Sequence, residues 1–144
     1  MASSKLEKLL LLTNRRPDDA ELFQRLGKLY RKLGMFDESR IAWEESLRLD
    51  PCDPWIHLYL GNWYYVNKDL ANAIEMFIRA CHLMPDCCIS YVCLGDSFEQ
   101  TGFWDLADRF YKMAAEIDPA WEIAHNNLGA WRTRQEEREK IGST

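Results

Sequence analysis

No apolar run in this 144-residue sequence exceeds four residues; Leu9-Leu10-Leu11-Leu12 is one such run. A membrane-spanning helix needs roughly 20 consecutive apolar residues, so no span is expected. Lys5, Glu7 and Lys8 interrupt the apolar stretch near the start, and no small-residue cleavage site follows it, which argues against a signal peptide. The expectation is a cytoplasmic protein. An excess of basic charge is also missing: 18 Lys and Arg face 23 Asp and Glu, a net charge of −5. Phosphate backbones demand a basic field, so nucleic acid is excluded as the principal partner. The five cysteines, Cys52, Cys81, Cys87, Cys88 and Cys93, contain no CxxC pair. An odd set without paired spacing is not a disulfide framework, and free thiols are expected. There is no phosphate-cradling glycine loop, no HExxH and no nucleophile elbow. Catalysis therefore has no motif to rest on, and neither an enzyme nor a cofactor is expected.

Glycine and proline are scarce, at seven and five, but they are placed with regularity. Gly27, Gly61, Gly95 and Gly129 stand 34 residues apart, and so do Pro17, Pro51, Pro85 and Pro119. Leucine precedes each of these glycines, at Leu26, Leu60, Leu94 and Leu128. Tyr30, Tyr64 and Phe98 follow by three, with Arg132 breaking the series. Small residues recur twelve and nineteen positions after the glycine (Ser39, Ala73, Ala107 and Ser46, Ala80, Ala114). Rings recur between them at Trp43, Phe77 and Tyr111. Alternating bulky and small residues at helical spacing let two helices approach closely. Asp53-Pro54 reads as an N-cap followed by a first-turn proline, Gly34 and Gly102 as left-handed stops, and Asp37 and Asp105 as acids near a second helix start. The second helix of each period ends before Pro51, Pro85 and Pro119, because proline forces its predecessor out of the helical region.

The segments FQRLGKLY (23–30), HLYLGNWY (57–64) and YVCLGDSF (91–98), each with its small–ring–small–Pro series, resemble the tetratricopeptide repeat family. The resemblance implies an all-α fold, a right-handed superhelical α-solenoid of antiparallel helix pairs whose first helices line a concave groove. It places one repeat at 20–53, a second at 54–87 and a third at 88–121, within a single domain spanning 1–144. Ser4-Lys5-Leu6-Glu7 has the form of a capping box, predicting a flanking helix over 5–13. A capping helix is expected over 122–140, with Glu136 and Lys140 spaced for an ion pair on its solvated end. The family is a binding architecture, so the implied function is non-enzymatic protein–protein interaction.

Residues that look chemical have plainer readings. His57 and His125 occupy the position of Phe23 and Tyr91, which makes them packed rings rather than acid–base groups. Cys81, His82, Cys87 and Cys88 lack the paired spacing that a tetrahedral zinc site requires, so no metal is expected. Asp96 and Glu99 share a helix face but have no nucleophile beside them, and read as an acidic binding patch.

The 34-residue interval also assigns the concave face: six, three and two residues before each glycine, and one, four and five after it. In the first repeat this selects basic residues, with Lys28 and Arg31 facing an anion. The second supplies Trp55, Leu58, Tyr59, Asn62 and Tyr65, and the third Ile89, Val92, Asp96 and Glu99. Trp55, Leu58, Tyr59, Ile89 and Val92 are expected to form an apolar floor, and Asp96 and Glu99 to face a cation. Ile123, Asn126 and Asn127 continue the groove, where the amides could hold an extended backbone. Exposed aromatic and aliphatic area of this kind marks a partner site. The chaperone-binding subgroup of the family grips a terminal carboxylate with several lysines and asparagines. Here Gln24, Lys28, Tyr59, Ile89 and Cys93 stand at those places, so that clamp is not expected. Trp63, aligned with Leu29 and Trp131, is expected between repeats. The reading is capture of a peptide or helical segment of another protein. The alternatives are self-association, in which a terminus or second copy fills the groove, and a small chaperone holding extended client segments.

Overall fold

A computed structural model describes the backbone of residues 2–143 and the side chains of residues 4–122 and 126–143. The fold is a succession of helices, α1 (Ala2–Arg15), α2 (Ala20–Lys32), α3 (Phe36–Leu49), α4 (Pro54–Val66), α5 (Leu70–Leu83), α6 (Cys88–Thr101), α7 (Trp104–Ile117) and α8 (Glu122–Gly142), with no strand among the described residues. α2 pairs with α3, α4 with α5 and α6 with α7, and each second helix then packs on the next first helix.

Local chemistry sets the boundaries. The Asp53 carboxylate accepts from the N–H groups of Trp55 at 2.9 Å and Ile56 at 3.3 Å, and Pro54 occupies the first turn where no N–H is needed. Asp19 and Asp69 cap α2 and α5 in the same way. Asp50, Met84 and Asp118 all have φ −131°, extended, each with a proline next in sequence. Gly34 and Gly102 turn the chain left-handed between the paired helices, at φ 76° and 81°. The equivalent residue of the middle pair is Lys68, forced to φ 65°. A side chain in that region is disfavoured by about 1–2 kcal/mol, so Lys68→Gly is expected to raise stability by about 1 kcal/mol in urea titrations.

The flanking helix is longer than the sequence predicts. It starts at Ala2, so Ser4-Lys5-Leu6-Glu7 lies inside the helix rather than opening it. α8 likewise extends to Gly142, and its Glu136 and Lys140 form no ion pair with each other.

Each pair closes through a ring laid on a glycine. A Cβ on Gly27, Gly61 or Gly95 would come within 2.3 Å of Trp43, 2.5 Å of Phe77 or 2.6 Å of Tyr111. These rings are at most 2% exposed, and burying a large apolar side chain contributes roughly 1.5–3 kcal/mol. The serines of the first pair add hydrogen bonds: Ser39 donates to the Gly27 carbonyl at 2.8 Å and Ser46 to that of Ala20 at 2.9 Å. Between pairs, Trp43 packs with Ile56 and Leu60, Phe77 with Leu94, and Tyr111 with Leu128 and Trp131. His57 is buried among these contacts, with Nε2 3.0 Å from the Pro51 carbonyl oxygen, a structural histidine. His125 lies outside the described side chains.

Candidate partner-binding groove

The first helices α2, α4, α6 and α8 carry the residues assigned to the groove. On α2, Arg25, Lys28, Arg31 and Lys32 form no ion pair among the described residues. Lys28 and Arg31 instead lie over the Tyr59 ring of α4, 5.6 and 5.3 Å from its centre. The ring's negative face favours cations there, while the charges stay available to a ligand. Beneath, Tyr59 stacks on Trp43 at 5.0 Å and 23°.

Beside this stack opens a pocket of about 370 Å³. Trp43, Tyr59, Trp63, Val66 and Phe36 supply its apolar walls, and Arg31 and Asn62 are among its polar groups. Such a mixture, largely apolar with a few convergent polar groups, is the usual character of a ligand site. Phe36 and the Trp43 floor were not anticipated from the sequence. Trp43 reads there as a packing ring, and only its stacking on Tyr59 brings it to the groove. Trp63 packs against the preceding pair, under the Arg40 guanidinium at 5.0 Å.

The remaining predicted residues divide. Trp55 and Ile89 hold the same place in the first turns of α4 and α6 and are 44% and 42% exposed. Asn62 and Asn126 are exposed and Asn127 half-buried; Ile123 lies outside the described side chains. Leu58 and Val92 are buried, at 6% and 7%. Leu58 joins Phe77 and Leu94, and Val92 joins Tyr111 and Leu128, so both spend their apolar surface on neighbouring helices instead of an open floor. The Tyr65 hydroxyl meets the Gln100 side chain at 3.2 Å, tying α4 to α6.

Asp96 and Glu99 are committed internally. The Tyr111 hydroxyl shares its one proton between Asp96 at 2.5 Å and Glu99 at 3.0 Å, and Arg134 of α8 holds Glu99 through two bonds of 2.6 and 2.8 Å. A two-pronged guanidinium–carboxylate contact satisfies both groups. The acidic section is thus closed by the protein itself, and the charges left open around Tyr59 are the α2 cations together with Asp37, which lines the pocket with Arg31.

Burial raises the Asp96 carboxyl above its ordinary value, with Tyr111 and Arg134 opposing. Its folded value exceeds its unfolded one, so its contribution to stability is complete below about pH 4 and is lost as pH rises through the raised value. Asp96→Asn keeps the acceptor for Tyr111 and removes the buried charge. The variant is expected to melt no lower than the parent at pH 7, with the difference closing at pH 4; a lower melting temperature at pH 7 would contradict this. Burial also lifts the Cys81 and Cys93 thiols to about 12, which keeps them protonated and unreactive. No group of three or more His, Cys, Asp or Glu among the described residues could hold a metal, and no helix there is long and apolar enough to cross a membrane.

This geometry defines an α-helical repeat scaffold with a basic–aromatic groove. The chain carries the tetratricopeptide repeat: the Tetratricopeptide repeat family model matches residues 20–51, the first helix pair. A crystal structure of MamA superposes with a TM-score of 0.86 at 20% identity, covering 99% of this chain and 83% of that one. The first tetratricopeptide domain of Spaghetti (RPAP3), bound to the HSP90 peptide SRMEEVD, gives a TM-score of 0.74 at 21% identity over 81% of this chain and 93% of that one. Anaphase-promoting complex subunit 6 of Arabidopsis thaliana is 23% identical over 113 residues, 78% of this chain. The chain spans about a fifth of that relative's length, 21%.

Proposed function

We propose that this protein is a non-enzymatic interaction module that captures a segment of a partner protein on its concave face, between α2 and α4. The observation that carries the reading is the set of four α2 cations, Arg25, Lys28, Arg31 and Lys32, that form no ion pair among the described residues, two of them over Tyr59; Arg31 lines the aromatic pocket, where Asp37 is the single acid. A fitting segment carries acidic residues toward α2 and an apolar side chain for the pocket floored by Trp43 and Tyr59. Asn62 is placed to bond its backbone, as an amide both donates and accepts. A protein of the same fold has been seen with an acidic peptide bound, which supports the class of partner. Trp55 and Ile89 extend the apolar path along the first turns of α4 and α6.

Peptide phage display against the full chain tests this. Enriched peptides are expected to combine acidic and bulky apolar residues. Their affinity should fall about tenfold or more in the Arg31→Ala, Tyr59→Ala double variant, as for loss of interface hot spots, with helicity unchanged. Enrichment of peptides that bind parent and variant equally would overturn the proposal.

A further inference from the structure

The repeats serve as controls for one another, and the first differs from its copies at one packing position. Ala42 stands where the second pair has Met76 and the third Phe110, at intervals of 34 residues. In the third pair the Phe110 ring stacks on Phe98 at 5.4 Å and 7°, and on Tyr91 at 6.4 Å and 27°. The first pair keeps both flanking rings, as Tyr30 and Phe23, and omits the one between them. A cleft of about 690 Å³ results, lined by Phe23, Leu26, Tyr30, Ile41 and Ala42. Leu6 and Leu9 of α1 pack on the same cluster, yet no residue of α1 lines the cleft. It shares no lining residue with the concave pocket.

Charge narrows the occupant. Glu38, Glu44, Glu45 and Arg48 also line the cleft; Arg48 is engaged by Glu45 and Glu44 by Arg40, whereas Glu38 makes no ion pair among the described residues and leaves the cleft an unpaired negative charge. A second copy of this chain offers no matching side chain: its exposed phenylalanines have acidic neighbours, Phe36 before Asp37 and Glu38 and Phe103 two residues before Asp105, and its exposed ring with a base over it, Trp104 under Arg138 at 4.6 Å, is an indole rather than a phenylalanine-sized ring. We propose that the cleft is a second docking site, which takes a phenylalanine-sized aromatic side chain from a partner helix bearing lysine or arginine near that ring. The inserted ring would restore the three-ring stack that Phe110 completes internally, and the base would face Glu38.

The test uses an alanine-based helical peptide with one central phenylalanine and a lysine one turn to each side, and a control with alanine in place of the phenylalanine. Titrated into the isotope-labelled full chain, the first peptide is expected to shift the amide resonances of Phe23, Tyr30 and Ala42, and the control to leave them in place. Ala42→Phe and Ala42→Met borrow the residues of the other repeats and should fill the cleft without lowering the melting temperature. Both should weaken the phenylalanine peptide about tenfold or more. The proposal is overturned if neither peptide binds, if both bind alike, if both filled variants retain parental affinity, or if the shifts map to Tyr59 and Asn62. A concentration-dependent dimer dissolved by the filled variants would also overturn it, assigning the cleft to a second copy.

Discussion

Trp43→Ala is expected to remove about 3–5 kcal/mol of stability, the usual loss for a fully buried indole. For a chain of this size that corresponds to a fall in melting temperature on the order of 10 °C. Trp43 is 2% exposed and has three duties. It fills the space over Gly27, packs on Ile56 and Leu60 of the next pair, and carries Tyr59 at 5.0 Å. The truncation therefore loosens the first pair, uncouples it from the second and drops the floor of the concave pocket. Partner capture and thermal stability should fall together, whereas Tyr59→Ala should impair capture alone. Trp43→Phe is the discriminating companion, since Phe77 and Tyr111 show that smaller rings serve at this position. The indole Nε1 has no hydrogen-bond partner, and an orphaned buried donor costs about 1–3 kcal/mol. Losing it offsets part of the cavity left by the smaller ring, so the phenylalanine variant should sit well above the alanine variant in a urea melt. Equal losses for the two would contradict this account.

The second large effect reverses sign between equivalent positions. Gly27→Ala is expected to destabilise by about 1–3 kcal/mol, because its Cβ would lie 2.3 Å from the indole of Trp43. The indole cannot retreat, being wedged between α2 and the Tyr59 ring. Gly129 holds the same place in the 34-residue interval, yet a Cβ there meets nothing within 4 Å. Among the described residues no second helix is laid across α8 at Gly129, so backbone freedom decides, and Gly129→Ala should stabilise by about 1 kcal/mol. Denaturant titration of the two variants checks both signs. Destabilisation by Gly129→Ala would mean that another element approaches α8 there.

These glycines also mark how far the sequence could be read. The helix pairs were legible because the spacing of Gly27, Gly61 and Gly95 from Trp43, Phe77 and Tyr111 is a contact repeated three times. Lys68 escaped notice as a left-handed residue, since nothing in a lysine signals that its neighbours impose φ 65°. Leu58 and Val92 were misjudged as open floor for a geometric reason. Their position points both inward and toward the next first helix, and only the actual approach of that helix decides which surface they cover. The internal partners of the acidic section were hidden because alignment places Tyr111 among the packing rings and Arg134 on the groove face, without saying where the hydroxyl or the guanidinium reaches. Arg134 reaches Glu99 from 35 residues away through the length of its side chain, which positional alignment does not encode. The substitution at Ala42 was visible in the aligned periods, but its meaning depended on finding Phe110 stacked against two rings.

The distribution of ties between first helices has a consequence for binding. α6 is pinned to α8 near their mid and later turns by the Glu99–Arg134 contact, and α4 to α6 by Tyr65 and Gln100. α2 is fastened to α4 at the opposite end, where Gln24 donates to Asp53 at 2.7 Å. Toward the Arg31 end the ties to α4 are of another kind, with Lys28 and Arg31 over the Tyr59 ring, Arg40 of α3 over Trp63, and the Tyr64 hydroxyl donating to Glu44 of α3 at 3.4 Å. Side-chain hydrogen bonds thus join α4, α6 and α8 to one another, whereas beside Tyr59 α2 meets α4 through cation–ring contacts. An acidic ligand entering there competes for the same two cations, so its binding exchanges a contact between repeats for a contact with the partner.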